Sequence, residues 1–138
     1  MIDLKIILSP NDAKRLAQAS AQALEAIQRV LEVSALKIDR AAKLLIARGS
    51  KSGRRYGKHQ ASAPGEAPAT NTGRLIQSIA WQVLNQGLTV EIGSPLDYAS
   101  YLEDGTQRMD PRPWLKPAYD QHVDVIVSDI TDTLKKYL

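Results

Sequence analysis

The sequence contains no cysteine and no phenylalanine. The first absence excludes disulfides, thiolate nucleophiles and cysteine-based zinc sites, and suits a chain made in a reducing cytosol. The second leaves Tyr and Trp as the only aromatics, at 5% of the residues, so there are few platforms on which bases or sugars stack. No apolar run approaches the roughly 20 residues that cross a bilayer, so no membrane partner is expected. The opening Met1-Ile2-Asp3-Leu4-Lys5 lacks the basic region, apolar stretch and cleavage site of a signal peptide. A soluble, cytosolic product is the expectation.

Catalytic signatures are missing too. There are two histidines, His59 and His122, and no HExxH, Walker loop, GxGxxG or calcium-loop pattern. Asp97, Glu103, Asp104 and Asp110 are acidic neighbours without a diagnostic metal spacing. Ion pairs with Arg108 and Arg112, or with another subunit, are their expected use. No enzyme activity, metal or cofactor is predicted.

What remains is a chain of 138 residues with a net charge of +3, long enough for one domain over 1–138 with a genuine core. Ile2 to Leu8 reads as a strand ending in β-rich Ile6-Ile7-Leu8. Ser9-Pro10-Asn11-Asp12 is a helix start: a capping hydroxyl, a proline where the missing N–H is harmless, and an acid at the positive helix end. From there to about Arg48 neither Gly nor Pro occurs. Leu24, Ile27, Leu31, Ser34, Ile38, Ala41 and Leu45 alternate by three and four, a heptad-like stripe. One helix over the whole span is on the order of 55 Å long, which predicts a break near Val33-Ser34 or support from neighbouring subunits.

Residues 49–71 are rich in Gly, Ser, Pro and Ala, and read as a long, irregular, flexible loop. Arg48, Lys51, Arg54, Arg55 and Lys58 concentrate there, with no acid before Glu66. That charge fits sequence-independent contact with DNA phosphates or with a neighbouring subunit. Thr72 to Ile79 reads as a capped helical turn. Ala80–Leu84 and Leu88–Ile92 flank Asn85-Gln86-Gly87 as a β-hairpin, Gly87 supplying a positive φ. On its second strand Leu88, Val90 and Ile92 face the core, leaving Thr89 and Glu91 wet. A short helix over Tyr98–Glu103, with Tyr98, Tyr101 and Leu102 inward, stops at Gly105. A final helix from about Pro117 buries Leu115, Ala118, His122, Val125 or Ile126, Ile130, Leu134 and Tyr137. The class is α+β: a small antiparallel sheet, made of the N-terminal strand and the hairpin, packed with a long N-terminal helix and a C-terminal helix.

From Ala63 to Ala118 the sequence carries motifs. Ala63-Pro64-Gly65-Glu66-Ala67-Pro68 followed by Thr72-Gly73-Arg74-Leu75-Ile76-Gln77-Ser78-Ile79 resembles the "APGEPP…TGRLRRSI" signature of phage tail-component proteins. Ile92-Gly93-Ser94 with Tyr98-Ala99-Ser100-Tyr101-Leu102-Glu103-Asp104-Gly105-Thr106 resembles "VGS…YAxYLEFGT" of that family, and Arg108-Met109-Asp110-Pro111-Arg112-Pro113-Trp114-Leu115-Lys116-Pro117-Ala118 resembles its "RMPARPFLRPA". The chain departs from the pattern with Asp104 in place of Phe, and with Asp110-Pro111 in place of Pro-Ala.

The resemblance implies a structural virion protein of a tailed phage or prophage, one of those described as minor tail, neck, tail-completion or head–tail joining proteins. It implies copies arranged around the tail axis, usually in a ring. Expected partners are a connector, tail tube or tail terminator and other copies of the chain in the virion, with a monomer in solution before assembly in the host cytoplasm compatible with this reading. Gly73 and Gly93 are read as tight corners, Pro111, Pro113 and Pro117 as stiffeners of the last helix, and Trp114 as a core or interface anchor. A head-to-tail ring needs two different complementary surfaces. The helix stripe and the basic loop are the candidates.

Overall fold

The computed structural model describes residues 2–69 and 73–138. Strand β1 (Ile2–Ile7) leads to α1 (Pro10–Ala17), where Ser9 Oγ accepts from the Asp12 amide at 3.2 Å. The helix does not run on to Arg48 unbroken. Gln18 closes α1, its amide donating to the Arg15 carbonyl at 3.2 Å and the next amide, of Ala19, to the Leu16 carbonyl at 3.1 Å. Ser20 then caps a second helix, α2 (Ala21–Arg48), accepting from the Ala23 amide at 3.2 Å. The break predicted near Val33-Ser34 therefore lies at Gln18–Ser20. This turn drops Leu16 into the core at 1% exposure, and Ser20 offers the backbone a cap in place of another helical turn. At Ser34 the buried hydroxyl donates to the Val30 carbonyl at 2.7 Å, so the helix needs no break there. Its 28 residues run about 42 Å.

The predicted stripe is this chain's own core. Ile27, Leu31, Ser34, Ile38 and Ala41 are buried, Leu24 and Leu45 half-buried, and Ala23, Ala35, Ala42 and Ile46 widen the buried face. It packs on the sheet and on the last helix, so it offers nothing to a neighbouring subunit.

The sheet is antiparallel in the order β1, β5, β4, with β4 at Ala80–Leu84 and β5 at Thr89–Ser94. Central position changes what β5 exposes. Val90 and Ile92 are fully buried, but Thr89 and Glu91, expected to be wet, are also buried, at 3% and 8% exposure. Side chains of the flanking strands and the turn cover them. Gln82 Nε2 donates to Glu91 at 2.9 Å, Lys5 Nζ lies 3.4 Å away, and Asn85 Nδ2 donates to Thr89 Oγ1 at 3.1 Å. Hydrogen bonding to Glu91 raises the Asp3 carboxyl pKa, while Gln82 and Asp3 lower that of Glu91. Gly87 has the positive φ expected of it, as do Asn85 and Gln86. Gln28 Nε2 holds this turn through the Gln86 carbonyl at 2.7 Å.

The 49–71 segment is not wholly irregular. β2 (Arg55–Tyr56) and β3 (His59–Gln60) pair as a small hairpin arm. Thr70, Asn71 and Thr72, the last being part of the expected capped turn, lie outside the described residues. After them come α3 (Arg74–Ser78), α4 (Asp97–Asp104) and α5 (Lys116–Tyr137). In α5, Ala118 and Ile126 are buried, with His122, Ile130 and Leu134 half-buried. Of the alternatives Val125 and Ile126 the buried one is Ile126, whereas Tyr137, placed on the buried stripe by its spacing, is exposed. The helix is covered along the side that meets α2, and Ile126 rather than Val125 points there. Among the described residues no helix is long and apolar enough to cross a membrane. The fold is α+β, with a small antiparallel sheet against two long helices.

Candidate assembly surfaces

Most motif residues are spent inside the chain. Leu75, Ile79, Trp114 and Leu115 are buried. Trp114 is wholly enclosed, its indole N–H donating to the Ala99 carbonyl at 3.1 Å. Ser78 Oγ donates to the Leu75 carbonyl at 2.7 Å and lies 2.7 Å from Ser94 Oγ, tying α3 to β5. Gly93 is not a corner. It sits in β5 opposite Asp3, where a side chain would strike the Ile2 carbonyl and the Asp3 backbone. Gly105 does end α4, at φ +75°, with Met109 and Pro111 packed where a Cβ would stand. Thr106 pairs with Met109 and its Oγ1 accepts from the Arg108 amide at 3.2 Å. Pro117 lies in the first turn of α5, beside half-buried Pro113.

Glu103 is the centre of this junction. Its carboxylate accepts from the amides of Trp114, Leu115 and Lys116 at 2.7, 2.8 and 2.8 Å. Those amides open α5 and have no partner within the helix, so α4 caps α5 from outside it. The ion pairs expected between the acidic residues and Arg108 or Arg112 do not form among the described residues. Arg112 instead uses its amide on the Leu102 carbonyl at 2.6 Å and its Nε on the Ser62 carbonyl at 3.4 Å.

Glu66, quoted within a motif but not singled out, does the same for the arm. It accepts from the Ser52 and Ala63 amides, both at 2.8 Å, and from the Ser52 hydroxyl at 3.0 Å. The two amides, Ala63 first, hold its pKa below the usual glutamate range. The Gly65 amide ties this base to the Pro111 carbonyl at 2.9 Å. Of the five basic residues, Arg48 ends α2 and Lys51 donates to the Leu45 carbonyl at 3.1 Å, its pKa lowered by burial. Only Arg54, Arg55 and Lys58 form the exposed tip, with Arg54 5.2 Å over the Tyr56 ring.

Two further surfaces are open. In α4 the buried residue is Ala99. Tyr98 and Tyr101, expected to face inward, are 38% and 53% exposed, and Leu102 is half-buried. Tyr98 flanks a cavity of about 350 Å³ shared with His59, Arg74 and Arg112. Along α2, Val33, Leu36 and Leu44 face solvent opposite the core stripe. The spacing carried this signal: apolar residues at 33, 36 and 44 fall outside the stripe that α2 needs for its own core. Among the described residues no three His, Asp or Glu side chains gather as a metal site.

No curated protein and no solved structure gives a significant match to the chain. Residues 12–105 match the model of the family described as "Bacteriophage HK97-gp10, putative tail-component". The match takes in the first motif and the second as far as Gly105, and ends before Arg108–Ala118. It covers more than half of the sequence, so the chain belongs to the HK97-gp10-like tail components of bacteriophages and is a structural phage protein.

Proposed function

We propose that this tail component is a ring-forming or tail-completion subunit at the head–tail junction or in the tail, and that it works through shape rather than catalysis. The observation that carries the reading is how the motif residues are used. Leu75, Ile79, Glu103, Gly105 and Trp114 build a rigid junction, and two unlike surfaces, the basic arm and the tyrosine face of α4, are left open to water. A head-to-tail ring requires such a pair of unlike surfaces. The chain acts as one unit over 1–138, entering the virion from the host cytoplasm beside a connector, tail tube or tail terminator.

The test is capture of the tagged protein from cells producing the whole virion, with identification of what accompanies it. Recovery of portal, connector or tail-tube proteins is the expected result. Recovery of nucleic acid alone, lost on raising the salt, sinks the reading.

A second reading rests on the arm tip. Arg54, Arg55 and Lys58 are exposed and have no ion partner among the described residues, so sequence-independent contact with passing DNA is an accessory role for them. Joint replacement of the three by Ala without effect on assembly or DNA passage removes it.

A further inference from the structure

We propose that Tyr101 of one copy seats in the hollow between α2 and α5 of the next copy, with Asp104 pairing to Arg40 and Asp97 to Arg48. The inference rests on the head-to-tail reading above, keeps the tyrosine face of α4 as one surface and puts the α2–α5 hollow in place of the basic arm as the other.

The hollow has a volume of about 540 Å³ and is lined by Lys37, Arg40, Leu44, Leu45, Arg48 and His122 among others. Its wall is apolar where Leu44 stands exposed, and its rim is basic. Among the described residues neither Arg40 nor Arg48 has an ion partner. Two copies meeting here face to face would oppose these cations to each other, so a symmetric pairing is disfavoured and an acidic partner favoured.

Helix α4 presents the complement. Asp97, Tyr101 and Asp104 follow at steps of four and three and therefore share one face. All three are exposed, and among the described residues neither acid has an ion partner. Tyr101, at 53% exposure, is the kind of side chain that anchors interfaces, with an apolar ring and a polar tip.

The spacings agree as well. Arg40, Leu44 and Arg48 put two cations about 12 Å apart around an apolar residue, and Asp97, Tyr101 and Asp104 put two anions about 10.5 Å apart around an aromatic one, at 1.5 Å per residue. Long arginine side chains span the difference. The basic arm is the poorer match for α4. It carries three cations, but its one apolar side chain, Tyr56, is already stacked under Arg54. Hollow and helix face lie on different parts of one chain, so the contact repeats from copy to copy.

The chain has no cysteine, so Leu44→Cys in one population and Tyr101→Cys in another introduce the only thiols. Co-expressed in cells producing the virion and oxidised in purified particles, they should form the mixed disulfide in at least ten-fold excess over either homodimer. Independently, Arg40→Glu and Asp104→Arg should each lower incorporation into particles at least ten-fold, and their combination should restore it to within two-fold. Arg48→Glu with Asp97→Arg is the second pair. All these positions are on the surface, and a thermal melt matching the parent verifies folding. Homodimers equal to or exceeding the mixed product, single reversals without effect, or failure of both charge pairs to rescue would overturn the interface while leaving the ring reading intact. A parent chain absent from particles overturns both.

Discussion

At the α4–α5 junction and at the base of the arm, a single glutamate gathers three hydrogen bonds from backbone and side chain that would otherwise part. Glu103 takes three successive amides at the start of α5, and Glu66 takes two amides and a hydroxyl on either side of the hairpin. The surroundings differ. Behind Glu103 stands Trp114, wholly enclosed and bonded to Ala99, with Leu115 and Ala118 buried beside it. Behind Glu66 only Ser62, Ala67 and Pro68 are buried, and the hairpin beyond is exposed or half-exposed. Burial makes the junction over-determined, whereas the arm keeps its shape through hydrogen bonds alone, those to the Glu66 carboxylate at its base and those of the β2–β3 ladder with Gly53, Arg54 and Ala61. A subunit built this way has a stiff body and an arm that local conditions can loosen.

The largest break in this comparison comes from removing the anchor. Trp114→Ala should cost about 3–5 kcal/mol, the usual penalty for emptying an aromatic site, with a further loss from the missing indole hydrogen bond to the Ala99 carbonyl. Urea denaturation reads this directly. A loss below about 1 kcal/mol would mean that the junction does not depend on its tryptophan.

Glu103→Ala comes next. It strips three amides of their acceptor at a helix start, for which about 2 kcal/mol is a reasonable expectation from single-cap and buried hydrogen-bond penalties. Glu103→Gln, which keeps one acceptor oxygen, should recover about half of that. If Gln and Ala cost the same, the charge against the helix end matters more than the hydrogen bonds.

How much of this was legible follows from the physical range of each cue. Hydrophobic spacing found the core stripe of α2, the α5 stripe apart from Tyr137, and the three strands, because periodicity reports which face is covered. Spacing does not say by what. The stripe taken for an intersubunit surface is covered by the sheet and α5, and Thr89 and Glu91 are buried because β5 became the middle strand. A helix break made by Ser20 without Gly or Pro gives only a weak signal, since Gln, Ala and Ser are all tolerated inside helices. Tyr98 and Tyr101 followed the usual rule for aromatics and broke it. Glu103 and Glu66 were visible as motif letters, but their work is done on amides 11–13 and up to 14 residues away, which spacing along the chain cannot reveal.

The smallest expected effect isolates the arm. The folded pKa of Glu66 is lowered, so its carboxylate contributes stability that is present above the unfolded glutamate value, about 4.3. That contribution is lost as pH falls below this value and through the lowered folded one. The arm should therefore loosen in mild acid while the junction holds. Hydrogen exchange at the Ser52 and Ala63 amides should accelerate on acidification more than the intrinsic pH dependence requires, and the amides of Trp114 and Leu115 should not follow. In Glu66→Gln the same two amides should exchange faster at neutral pH and lose the extra acid dependence, with the thermal midpoint of the whole chain nearly unchanged. Should the arm and the junction loosen together in both experiments, the two glutamates belong to one cooperative unit, and the division into stiff body and adjustable arm fails.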